Sequence, residues 1–112
     1  MLSEADLEIV AFEVEHPPVK PNVAYKVTYK GRSLVLSGDT VKSAAIVREA
    51  AGADLLLHEA LSTRMTRELA AAAGSVNRSN LKKVFFDIED YHTTPEQAAE
   101  VCVGSWASNY TV

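Results

Sequence analysis

Five residues in this chain have side chains suited to proton transfer or metal binding, and each stands beside a segment that would hold it. They are His16, Asp39, His58, Glu59 and His92. An imidazole exchanges a proton near neutral pH or ligates a metal. A carboxylate ligates a cation, or fixes the tautomer of a histidine beside it. Asp39 sits in Ser37-Gly38-Asp39-Thr40, directly after the apolar run Leu34-Val35-Leu36. Glu59 sits in His58-Glu59-Ala60, directly after Leu55-Leu56-Leu57. Between the two runs, Val41 to Ala51 has helix-forming composition, with Val41, Ala44, Ala45 and Arg48 at helical spacing. Asp39 or Thr40 can cap the start of that helix, and Gly52 stands where a glycine ends one. Strand, helix and strand make a right-handed parallel crossover. Sites in such sheets form outside the carboxyl ends of the strands. Asp39 and Glu59 should therefore face one crevice.

The histidines are placed by the flanking elements. Leu7 to Val14 alternates in polarity as a strand does, and His16 follows it. Three prolines then fall within Pro17-Pro18-Val19-Lys20-Pro21. They predict a stiff, extended loop that ends the strand. Val23 to Tyr29 alternates again, Lys30-Gly31 turns, and Arg32 to Leu36 returns as the second arm of an antiparallel hairpin. Leu61 to Ala73 reads as a helix with Ser62 or Thr63 near its start, and Asn80 to Ile88 as a shorter one. Thr94 and Gln97 form a capping-box pattern with Pro95 at the first helical position. His92 thus precedes a capped helix, whose free N–H groups suit a histidine working beside an anion. Gly104 should break that helix early, and the residues after it lose pattern.

Each residue also has a plainer reading. Asp39 is then a helix cap and Glu59 a solvated loop residue. His16 is a solvated loop histidine, and His92 a linker residue packed on Tyr91. Arg64 and Arg67 share a helix face and suit either an anion or solvent.

The whole chain limits the choice further. Its 112 residues suffice for one small domain, and 47% hydrophobic content supports a core. A net charge of −4 gives no overall attraction to nucleic acid. The single cysteine, Cys102, excludes an intramolecular disulfide. No apolar run approaches a membrane span, and the acidic start Met1-Leu2-Ser3-Glu4-Ala5-Asp6 is unlike a signal peptide. The expectation is a cytoplasmic chain without a membrane partner.

Glu13-Val14-Glu15-His16, Val23-Ala24-Tyr25-Lys26-Val27, Ser37-Gly38-Asp39-Thr40, His58-Glu59-Ala60 and Tyr91-His92-Thr93-Thr94 with Ala98-Ala99 occur in that order. This ordered set resembles the metallo-β-lactamase superfamily, and within it the ribonuclease Z and arylsulfatase-like branch. It runs from about Leu7 to Val101. The resemblance implies an α/β fold, part of an αββα sandwich: a mixed sheet with a hairpin, a βαβ unit and flanking helices. It implies that His16 and Asp39 bind metal, with Asp39 bridging two zinc ions, or manganese in their place. It implies that His92 protonates the leaving group while Glu59 orients it. His58 is not a ligand in that pattern and packs. The implied substrate is a phosphodiester, such as a tRNA precursor, or a small ester.

The chain also departs from the pattern. The HxHxDH signature that supplies most of the family's metal ligands is absent, and no two of the three histidines have its spacing. The family's last metal-binding histidine, at the end of a final strand, is absent too. The expectation is that residues 1–112 form a single incomplete domain, the C-terminal half of the sandwich without its final strand. Two functions follow: a two-zinc hydrolase represented by half of its domain, or a non-catalytic structural or interaction module. Either way, an uncovered sheet face predicts self-association.

Overall fold

The computed structural model describes residues 1–105 together with 110 and 111. Six strands form one sheet in sequence order: β1 (Leu2–Glu4), β2 (Leu7–His16), β3 (Val19–Tyr29), β4 (Arg32–Leu36), β5 (Leu55–Leu57) and β6 (Tyr110–Thr111). Neighbours from β1 to β4 pair antiparallel, whereas β4–β5 and β5–β6 pair parallel. The helices are α1 (Ala44–Glu49), α2 (Thr63–Ser75), α3 (Ser79–Asp87) and α4 (Pro95–Ser105), with a 3₁₀ turn at Ile88–Asp90. The expected hairpin, crossover and mixed α/β sheet are all present. No helix among the described residues is long and apolar enough to cross a membrane.

Register sorts the sheet into two faces. Val10, Lys26, Val35 and Leu56 are successive cross-strand partners, as are Phe12 and Ala24 one step along. This is the face covered by α1 and α4. Val14, Ala24, Val35 and Leu56 pack there with Ile46, Ala50, Ala53, Val101 and Cys102. Ile46, Leu56 and Val35 are fully buried, each contributing about 1.5–3 kcal/mol through removal from water. The other face repeats the alternation with Ile9, Val27, Leu34 and Leu55 in one row and Ala11, Tyr25, Leu36 and Leu57 in the next. Tyr25, Tyr29 and Leu57 are exposed. This face is apolar, yet no helix of the described chain covers it.

Local chemistry explains most elements. Lys30 and Gly31 both have positive φ, +47° and +78°, the pairing that a tight two-residue hairpin turn requires. Ser62 caps α2 by accepting from the Met65 amide. At α4 the capping box is complete: Thr94 N donates to Gln97 Oε1 at 3.0 Å, and Gln97 N donates to Thr94 Oγ1 at 3.2 Å.

Four expectations need correction. The proline segment is not an extended loop. Pro17 and Pro18 form the turn, and β3 begins at Val19. His16 pairs with Val19 and Val14 with Asn22, so Lys20 and Pro21 together oppose Glu15 in a bulge. A bulge tolerates a residue that cannot donate to the ladder. Next, α1 starts at Ala44 rather than Val41, and its cap is Ser43 rather than Asp39 or Thr40. The Thr40 and Val41 amides are already committed, to Glu59 Oε1 and to the Glu15 carbonyl. Gly104 does not break α4 early, since the helix continues to Ser105. Last, a short strand, β6, lies beside β5 where the tail was expected to lack one. Trp106 lies outside the described residues.

Candidate metal and acid–base site

β2 and β4 both run antiparallel to β3, and β5 runs parallel to β4. The carboxyl ends of β2, β4 and β5 therefore share one edge of the sheet. His16 is the last residue of β2. Asp39 lies three residues past β4 and Glu59 two residues past β5. His92 lies in the loop before α4. His16 and His92, 76 positions apart in sequence, thus converge on one edge with Asp39 and Glu59.

The Asp39 loop is held tightly. Ser37 N donates to the Leu57 carbonyl at 3.0 Å. Ser37 Oγ accepts from Glu59 N at 2.8 Å and donates to the Gly38 carbonyl at 2.7 Å. Gly38 has φ +59°, and a Cβ there would sit 3.1 Å from the Val23 carbonyl. Only glycine takes that turn without strain. Asn22 Nδ2 donates to the Asp39 carbonyl at 2.5 Å.

One ligand atom from each of His16, Asp39 and His92 lies within 4.8 Å of the other two. The His16 and His92 rings meet edge to face at 5.2 Å between centroids. Tyr91 packs against both, 5.0 Å from His16 and 5.3 Å from His92. Both ring nitrogens of His16 are buried without a hydrogen-bond partner among the described residues. Buried imidazole nitrogens of this kind are normally satisfied. Two imidazoles and one carboxylate form the mixed nitrogen–oxygen donor set of a divalent transition-metal site, so these residues fit a metal. His92 was expected to serve acid–base chemistry alone, yet its ring stands with the two expected ligands.

Glu59 is the second feature of the site. Its Oε1 lies 3.0 Å from His92 Nδ1 and accepts the Thr40 and Thr93 amides, each at 3.1 Å. The carboxylate only accepts, so His92 Nδ1 carries the proton and Nε2 is left for a ligand or a transferable proton. His58 packs, as expected, with its side chain buried. Its Nδ1–H donates to the Glu59 carbonyl at 2.7 Å, and its Nε2 is buried without a partner among the described residues.

Arg64 and Arg67 are not poised for an anion. Arg64 pairs with Glu68 at 2.9 Å and Arg67 with Glu89 at 3.2 Å. Sequence reasoning missed Ser37, Thr40, Thr93 and Tyr91 as site-forming residues. The available signal was adjacency: Thr40 follows Asp39, and Tyr91 and Thr93 flank His92.

No family model matches the chain. Relatives do. Over 85 residues the chain is 39% identical to ribonuclease Z of Mycobacterium avium (strain 104), covering 76% of this chain and 26% of that protein. Over 86 residues it is 37% identical to ribonuclease Z of Mycolicibacterium gilvum, covering 77% of this chain and 26% of that one. The chain thus spans about a quarter of the length of the curated relatives it matches. Among solved structures it is similar to human tRNase Z, short form, with a TM-score of 0.64 and 23% identity over 98% of this chain and 36% of that one. It is similar also to the metallo-β-lactamase fold protein YhfI from Bacillus subtilis, with a TM-score of 0.64 and 14% identity over 97% of this chain and 36% of the other. By fold this chain is thus similar to metallo-β-lactamase fold proteins, and by sequence to about a quarter of the length of ribonuclease Z.

Proposed function

We propose that residues 1–112 are the C-terminal half of a metal-dependent phosphodiesterase of the ribonuclease Z kind, acting on RNA such as a tRNA precursor. The observation that carries this reading is the Glu59–His92 contact beside the His16–Asp39–His92 convergence. His16, Asp39 and His92 would hold the metal, zinc or manganese. When bound, divalent cations at such a site lower the pKa of water and stabilise developing charge on a phosphodiester. The protein's own residues do the rest. Glu59 fixes the tautomer of His92, so that Nε2 faces the crevice. With Nδ1–H held by Glu59, Nε2 is the nitrogen of His92 that would hold the cation. The Asp39 carboxylate is exposed at the same edge, where it could hold a cation. The rest of the proposed enzyme, with an HxHxDH ligand set, supplies what these three residues do not. The working compartment is the cytoplasm.

The second reading is a non-catalytic module. Three donor residues are the minimum for a catalytic zinc, and structural sites use four. The uncovered apolar face carrying Tyr25, Val27 and Leu34 also favours a chain built to associate, with a further copy of itself in the first instance. Calorimetric titration of the chain with zinc separates the readings. Stoichiometric binding that Asp39→Asn weakens supports the hydrolase half. Absence of binding, with sedimentation reporting a defined oligomer, supports the module.

A further inference from the structure

Thr40 and Thr93 are fully buried, and each directly follows a residue of the site. Thr93 Oγ1 donates to the Thr40 carbonyl at 2.5 Å across 53 residues of sequence. Thr40 Oγ1 stands 2.9 Å from the Glu15 carbonyl and 2.8 Å from the Val41 carbonyl, and its one proton serves one of them at a time. The Glu15 carbonyl also accepts the Val41 amide at 2.9 Å. Glu15 immediately precedes His16. The Thr93 carbonyl accepts the Leu61 amide at 2.7 Å, which ties the same loop to the segment after Glu59. The two threonine amides close on the single oxygen Glu59 Oε1.

Asp39, His92 and Glu59 are therefore each one peptide unit from this buried threonine pair or bonded to it, and His16 is one residue from Glu15, whose carbonyl faces Thr40. Asp39 joins through Thr40, His92 through Thr93, His16 through Glu15, and Glu59 through both amides. Buried hydroxyls and carbonyls away from water have no substitute partners, so breaking one of these bonds carries a desolvation cost that holds the loops in register. Neither threonine is itself placed to touch a ligand, since both are shielded from solvent.

We infer that Thr40 and Thr93 are positioning residues, whose hydrogen bond sets the separation of the Asp39 and His92 loops and so the geometry that His16, Asp39 and His92 offer a divalent cation. This deepens the proposed function and rests on its reading of those three residues as a cation site. Residues that orient metal ligands from behind typically change metal affinity about 10- to 100-fold when lost. Valine in place of Thr93 keeps the shape and deletes the donor, whereas serine keeps the donor and deletes a methyl group.

The experiment uses the full chain in three forms: wild type, Thr93→Val and Thr93→Ser. Cobalt(II) is titrated and followed by its visible absorption, and ring-proton cross-relaxation between His16 and His92 is recorded without metal. The expected result is an about 10- to 100-fold weaker cobalt affinity and a weakened His16–His92 cross-peak in Thr93→Val. Thr93→Ser should restore both, even if its thermal midpoint falls as far as that of Thr93→Val. Wild-type affinity and an unchanged cross-peak in folded Thr93→Val would overturn the inference. So would equal losses in both variants, which would indicate packing rather than the hydrogen bond. If wild type binds no cobalt, the cation reading fails, and the cross-peaks alone then decide whether the threonine pair sets the spacing of the rings.

Discussion

Glu59 Oε1 lies 3.0 Å from His92 Nδ1, across 33 residues of sequence, and the same oxygen takes the Thr40 and Thr93 amides. One carboxylate oxygen thus serves three donors from two loops. Removing it leaves two backbone N–H groups in a largely buried setting, each costing about 1–3 kcal/mol when unsatisfied. Glu59→Ala should therefore lower the urea midpoint clearly, whereas Glu59→Gln keeps an acceptor and should lose less. Equal midpoints for Glu59→Ala and wild type would show that the amides find other partners.

In a complete enzyme the same contact should appear in kinetics. His92→Ala removes a proposed ligand nitrogen and should lower turnover at least about 100-fold, more than the roughly 10- to 100-fold that follows loss of a group behind a ligand. Glu59→Ala should cost less, because it acts through the histidine. The double variant should resemble His92→Ala alone, since residues acting as a unit are not additive. Steady-state rates of the three variants at matched metal content are the check, and losses that simply multiply would refute the coupling.

Asp39 faces solvent beside His16 and His92. Its carboxylate brings the negative charge that two neutral imidazoles lack. Asp39→Asn should weaken zinc binding by at least about tenfold, the lower bound seen when groups merely supporting a metal ligand are lost. The fold should be retained, because the Asp39 main-chain carbonyl still accepts from Asn22. Calorimetry paired with circular dichroism tests both halves of this expectation.

Gly38 is the tightest backbone point near the site. Its φ of +59° and the Val23 carbonyl, 3.1 Å from where a Cβ would stand, leave little room for a side chain. Gly38→Ala should cost about 1–3 kcal/mol, the usual size of such backbone strain. Gly31→Ala provides the comparison, since its φ is also positive but a Cβ there meets nothing within 4 Å. Thermal unfolding should rank Gly38→Ala below Gly31→Ala, and the reverse order would refute the steric account.

What could be read from the sequence was local. Alternation in Leu7 to Val14, the Lys30-Gly31 turn and the Thr94–Gln97 box each depend on residues close together, and each appears in the structure. The misreadings were non-local. Pro21 looks like a strand breaker until Glu15 is seen opposite it in a bulge. Thr40 looks like a helix cap until its amide is seen bonded to Glu59, 19 residues away. His92 joining His16 and Asp39 could not be read from its neighbours, because it depends on the His16 ring, 76 positions away, meeting its own edge to face. The meeting of Glu59 with His92 was foreseen because both follow from fixed backbone at element ends, together with a family resemblance.

Far from the site, Asp54 ties the start of β5 to the start of β4. It accepts from Arg32 Nη1 at 2.7 Å and from Ser33 N at 2.8 Å. The Arg32 hydrogen bond, then the Ser33 amide, hold the Asp54 carboxyl below its ordinary value against the opposing effect of desolvation. Arg67 and then Thr66 lower Glu89 in the same way. For a carboxyl depressed in the fold, the unfolded chain binds more protons at pH values between the folded and unfolded pKa, so stability rises with pH there. The contribution is complete above the unfolded value of about 4 and is lost as pH falls through the folded value. Acidification below about pH 4 should therefore lower the urea midpoint. Asp54→Asn should flatten that fall, and Asp54→Asn combined with Glu89→Gln should flatten it further. Arg32 is largely exposed, so salt should shrink the Asp54 effect as well. A midpoint that falls equally steeply in wild type and in both variants would assign the acid sensitivity to other groups.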